Sequence, residues 1–85
     1  MKLVSLNGQA VCVYNVDGSF YATQDECTHI GGPMSEGELD GSIISCPWHF
    51  SRFDVTNGQV VEGPAKQPLK TYAVVITGEI GKVIE

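Results

Sequence analysis

Four dipeptides divide this chain more sharply than any other feature: Asn7-Gly8, Asp17-Gly18, Asp40-Gly41 and Asn57-Gly58. Asn, Asp and Gly tolerate the positive φ that tight connections between antiparallel strands demand, so each dipeptide marks a turn between two strands. Short β-branched and aromatic runs lie between them, and strands are expected over 3–6, 10–14, 20–23, 43–45, 52–55, 60–62, 73–76 and 82–84. No stretch longer than a turn repeats apolar residues at helical spacing without a Gly or Pro breaking it, and no helix is expected. The segment Glu62-Gly63-Pro64-Ala65-Lys66-Gln67-Pro68 holds two prolines and is excluded from a central strand, so it reads as a stiffened loop. The fold class is all-β, built from antiparallel hairpins, and the 85 residues form a single domain, 1–85.

A chain of this length buries only about 60% of its unfolded surface, so a covalent or metallic staple is expected. Three cysteines leave at least one thiol unpaired, and the N-terminus MKLVSLNGQA has neither the charge pattern nor the apolar core of an export signal. A metal centre therefore fits better than disulfides, and the expected location is cytoplasmic. No run of eighteen apolar residues offers a membrane span. Ten acidic residues against five basic ones give a formal charge of -5, the opposite of a nucleic-acid binder's footprint and suited to docking on a basic protein face.

Both histidines of the chain stand beside a cysteine, in Cys27-Thr28-His29 and in Cys46-Pro47-Trp48-His49. The sixteen residues between the two stretches, 30–45, contain the turn at Asp40-Gly41, which returns the second loop beside the first. Two thiolates and two imidazoles in this order match a 2Fe-2S cluster in which cysteines hold one iron and histidines the other. Zinc also takes two Cys and two His, although its usual sites pair like with like at C-x-x-C and H-x-x-x-H spacings. A thiol activated by its neighbouring histidine for nucleophilic attack is a third reading.

The stretches CTHIGGPMSEG and CPWHFSRFDVTNGQVVEGPA closely resemble those of Rieske-type ferredoxins, the electron-transfer components of bacterial ring-hydroxylating dioxygenase systems, and the similarity spans nearly the whole chain. That resemblance implies antiparallel sheets forming a base, with a cluster-binding lobe inserted at about 25–66. It implies one 2Fe-2S cluster, its inner iron held by Cys27 and Cys46 and its outer iron by His29 and His49, with the Pro64 loop as a third wall. The implied role is that of a monomeric one-electron carrier, not an enzyme, between an NAD(P)H-dependent flavoprotein reductase and a terminal oxygenase. A complete oxygenase needs a second iron on two further histidines, and the chain has only two. The Rieske-like small subunit of nitrite reductase is the alternative within electron transfer, and a zinc-stabilised binding module the alternative outside it.

Relatives in this family carry further residues that add a strand before 3–6, so the base sheet is expected to have an exposed edge. High-potential relatives carry a disulfide between the positions of Gly32 and Trp48, and hydroxyls near the cluster at the positions of Ser51 and Phe53. Only the serine is present here, which implies a potential toward the low end of the Rieske range, about -150 to +300 mV. Cys12 lies between Val11 and Val13 and reads as core. Trp48 and Phe50 flank His49 as cluster shields, partner contacts or plain packing residues, and Met34 and Ile30 read as an apolar rim around the histidine edges.

Overall fold

Asn7 and Gly8 both adopt positive φ, 50° and 80°, as do Asp17 and Gly18 at 51° and 87°. Each pair closes a two-residue turn of the mirror-image type that matches strand twist. The first turn joins β1 (Lys2–Leu6) to β2 (Gln9–Val16), and the second joins β2 to β3 (Ser19–Gln24). The third turn shifts by one residue: Gly41 takes the positive φ, 61°, and Gly41-Ser42 connects β4 (Glu38–Asp40) to β5 (Ile43–Ser45). The fourth is longer, because five residues separate β6 (Arg52–Asp54) from β7 (Val60–Glu62). Within it the Asp54 carboxylate accepts from the Thr56 amide at 2.9 Å and hydroxyl at 2.6 Å.

The structure is a computed structural model that describes the backbone of all residues except 29, 30, 49, 64, 78, 79 and 85, and side chains outside 75–85. Two antiparallel sheets result. One has five strands in the order β1-β2-β3-β8-β9, where β8 is Thr71–Thr77 and β9 is Ile80–Ile84; the other has four consecutive strands, β4-β5-β6-β7. The four-stranded sheet thus lies in sequence between β3 and β8. Strand β4 was not among the sequence expectations; Glu38 and Asp40 are exposed, and a three-residue edge strand shows no apolar alternation. Among the described residues one 3-10 turn, Met34–Glu36, corrects the expectation of no helix. Three residues are too few for periodicity to register. Among the described residues no helix is long and apolar enough to cross a membrane.

Strand β2 is buried on both faces. Cys12 and Tyr14 point into a core shared with Cys27, Met34, Ile44, Cys46, Phe53, Val55, Ala65 and Leu69, so this face packs against residues of the second sheet and both loops. Val11 joins Ala22 and Tyr72 in a smaller cluster on the other face. Alternation of side chains along a strand produces this division. On the edge of the five-stranded sheet, β1 leaves Leu3 55% exposed.

Cys12 is core, as read from its apolar neighbours, and it is fully buried. Burial pushes its thiol from 9.0 to about 11, opposed by a hydrogen bond with Tyr14. Burial also drives the Tyr14 phenol upward, although its hydroxyl pairs with Thr23 Oγ1 at 2.8 Å. Both groups are neutral in the folded state and ionise more readily unfolded; the Cys12 contribution holds below pH 9 and is lost as pH rises through 11, and the Tyr14 contribution holds below pH 10 and is lost at more alkaline pH. For Cys12 this amounts to about 2–3 kcal/mol. Thermal melts are expected to hold steady from pH 7 to 9 and to fall above it, with Cys12→Ala flattening part of that fall.

Candidate metal centre

Cys27 and Cys46 each head a loop closed by its own backbone. In the first, the Cys27 amide donates to the Gly32 carbonyl at 2.8 Å and the Gly31 amide donates back to the Cys27 carbonyl at 2.9 Å. In the second, the Cys46 amide donates to the Ser51 carbonyl at 2.8 Å. These bonds hold both thiols at the base of their loops, inside the shared core, where Cys27 and Cys46 are buried.

The two thiols are free, share one buried core and lie within hydrogen-bonding reach of each other. Burial pushes the Cys46 thiol up; a backbone contact at Trp48 opposes this, and the hydrogen-bonded Cys27 thiol reinforces it. Two buried thiols side by side suit metal binding, because thiolates are the form that holds a metal ion and burial keeps water from the site. Sulfur donors from two loops fit an iron-sulfur centre, which is held by thiolates. His29, His49 and Ile30 of the sequence expectations lie outside the described residues, as does Pro64.

Residues around the thiols differ partly from expectation. Met34 is fully buried in the same core as the thiols, not on an apolar rim. Its amide donates to the Asp25 carbonyl at 2.6 Å, which draws the 3-10 turn inward. Trp48 and Phe50 are exposed, and Phe53 is fully buried. Gly32 is buried, and a Cβ there would sit 2.7 Å from Cys46 Sγ and 3.2 Å from the Trp48 ring, so the first loop meets the second at a residue with no side chain.

Three positioning contacts escaped the sequence reading. Asp25 is buried; its carboxylate accepts from the Ser35 amide at 2.7 Å and its amide donates to Ala10 at 3.0 Å, tying the first loop to β2. The only signal was an acid two residues before a cysteine. Thr28 Oγ1 donates to the Gln67 carbonyl at 2.7 Å, across 39 residues. Ser51 is fully buried, and its Oγ accepts from the Ala65 amide at 3.0 Å, leaving the hydroxyl hydrogen to donate elsewhere. Ser51→Ala strands that buried amide and is expected to lower stability by about 1–3 kcal/mol in a denaturant titration. Ser51→Thr, which keeps the hydroxyl, is expected to recover part of the loss.

Comparison with known proteins agrees with this geometry. The model of the Rieske [2Fe-2S] domain matches residues 1–73. The chain is 46% identical over 76 residues to the biphenyl dioxygenase ferredoxin subunit of Pseudomonas sp. (strain KKS102), covering 88% of this chain and 70% of that one. It is 43% identical over 76 residues to the ferredoxin component of a naphthalene 1,2-dioxygenase system of Pseudomonas aeruginosa, covering 89% and 73%. Among solved structures, a complex of reduced oxygenase and oxidised ferredoxin in carbazole 1,9a-dioxygenase aligns with a TM-score of 0.92 at 36% identity, over 96% of this chain and 85% of that one. A Sphingomonas yanoikuyae B1 ferredoxin aligns at 0.90 and 35%, over 96% and 80%. With a family model that matches residues 1–73, the chain belongs to the Rieske [2Fe-2S] domain family and takes one Rieske-type 2Fe-2S cluster.

Proposed function

We propose that the chain is the ferredoxin of a multicomponent oxygenase system, a single-domain one-electron carrier that acts as a monomer between a flavin-containing, NAD(P)H-dependent reductase and a terminal oxygenase. The observation that carries this reading is the pair of adjacent, buried free thiols delivered by two closed loops. The relatives named above, ferredoxin components of dioxygenase systems, support it, as does the solved complex of a ferredoxin with its oxygenase.

In this reading Cys27 and Cys46 hold the inner iron, and His29 and His49 hold the outer one. When bound, the cluster supplies one-electron redox chemistry, and no bond in a substrate is made or broken by this chain. The protein's own part is to hold two thiolates apart from water, to fix their loops through Asp25, Thr28 and Ser51, and to set the electrostatic environment. Reduction adds a negative charge to a chain already at -5, which disfavours that step. Phe53 has no hydroxyl to donate to a cluster sulfur, whereas the Ser51 hydroxyl hydrogen is available. The midpoint is therefore placed toward the low end of about -150 to +300 mV.

An EPR-monitored redox titration on protein with measured iron and sulfide content tests the reading. A Rieske signal that appears at low potential supports it. A midpoint at the high end of the range, or no signal in fully iron-loaded protein, overturns it.

A further inference from the structure

Among the described residues three other than glycine adopt positive φ: Asn7, Asp17 and Phe50. The first two are turn residues of a kind that tolerates this region, but Phe50, at φ 59°, is an aromatic residue in backbone space that favours glycine. Packing does not compensate, because its side chain is 72% exposed, the most exposed of the large apolar residues described. Trp48, two residues earlier, is 49% exposed. An aromatic ring that the backbone disfavours and the core does not use contributes nothing to folding. Strained, exposed residues of this kind mark sites whose interaction lies outside the chain.

Phe50 forms one wall of a groove of about 260 Å³ that also includes Glu36, Glu38, Ser45, Cys46 and Pro47. Both glutamates are exposed, and neither makes an ion pair among the described residues. The groove thus sets an open aromatic face beside two unneutralised carboxylates and reaches back to the buried thiol of Cys46.

We infer that Phe50, Glu36 and Glu38 form the docking surface for a basic electron-transfer partner, one that lays an arginine or lysine on the Phe50 ring and against the two carboxylates. The inference rests on the electron-carrier reading above and specifies its partner. A guanidinium or ammonium is the one side-chain class that both halves of the groove attract, through the ring face and through the carboxylates. The net charge of -5 adds long-range attraction for the same partner.

The test measures second-order oxidation of the dithionite-reduced, cluster-loaded protein by two acceptors: cytochrome c, whose haem edge is ringed by lysines, and neutral p-benzoquinone. Phe50→Asn keeps a residue suited to positive φ, and Glu36→Gln/Glu38→Gln removes the charge. In each variant the ratio of the cytochrome c rate to the benzoquinone rate is expected to fall about tenfold at low ionic strength, and the difference from wild type to shrink in high salt. Phe50→Asn is also expected to melt about 2–5 °C above Phe50→Ala, which keeps the strain and loses the ring. An unchanged ratio in either variant overturns the docking surface while leaving the electron-carrier reading intact. A wild-type protein that, fully cluster-loaded, reduces neither acceptor overturns both.

Discussion

Cys46→Ala is expected to abolish the reddish colour and EPR signal of the protein and to lower its melting temperature by about 12–24 °C. Ligands from two loops cross-link the chain when the metal is bound, and closing a loop of comparable length contributes about 3 kcal/mol. For a domain of this size each kcal/mol moves the midpoint by about 4–8 °C. Protein stripped of iron with a chelator is expected to melt at the same temperature as Cys46→Ala, since both lose the same cross-link. Cys12→Ala is the contrast: that thiol is also fully buried, but it lies on β2 among Tyr14 and Met34 and heads no loop. It is expected to cost stability while keeping colour and signal. Equal melting of the metal-free and loaded proteins would show that the cluster is held without contributing to the fold.

The other large effect is expected at Gly58. Its φ is +77°, and a Cβ there would fall far inside van der Waals contact with the Leu69 carbonyl and 3.0 Å from Thr71 Cγ2. The obstructing atom is backbone, in the segment that leads into β8, and it is fixed by the hydrogen bond from the Leu69 amide to the Gly58 carbonyl at 2.8 Å. Gly58→Ala must therefore separate the β6–β7 turn from the start of β8 or break that bond. The left-handed backbone costs an alanine about 1–2 kcal/mol, and overpacking about 1–3 kcal/mol more. Gly41→Ala shares the positive φ, at +61°, but meets nothing within 4 Å, so it isolates the first cost. Urea titrations of the two variants are expected to differ by the overpacking energy. Equal losses would mean that the β6–β7 turn moves freely and does not brace the two sheets.

Turn chemistry is local, and for that reason the hairpins were legible without coordinates. Asn7-Gly8 and Asp17-Gly18 form the turns their residue types demand, and the apolar run around Cys12 is the twice-buried strand it resembles. Pairing of β3 with β8, separated by nearly fifty residues, has no such local signature. The short edge strand β4 shows no alternation, and the 3-10 turn is too brief to show a period.

The same division runs through the metal centre. The cysteine–histidine loops and their family resemblance were readable from residue types and spacing alone, because ligand chemistry is carried by side chains in short motifs. Their surroundings were not. Met34 reads as surface in a Gly- and Pro-rich stretch, but the Asp25 carbonyl captures its amide and turns it into the core. The bond from the Ala65 amide to Ser51 Oγ, that from Thr28 to Gln67, and the approach of Gly32 to Cys46 join residues 14 to 39 positions apart. Sequence by itself determined the turns, the placing of Cys27 and Cys46 each beside a loop and the charge, each a property of a few neighbouring residues. Only the tertiary structure decided what surrounds the thiols and that Trp48 and Phe50 are left facing solvent while Phe53 is buried, because those depend on how two separately closed loops come together on one core.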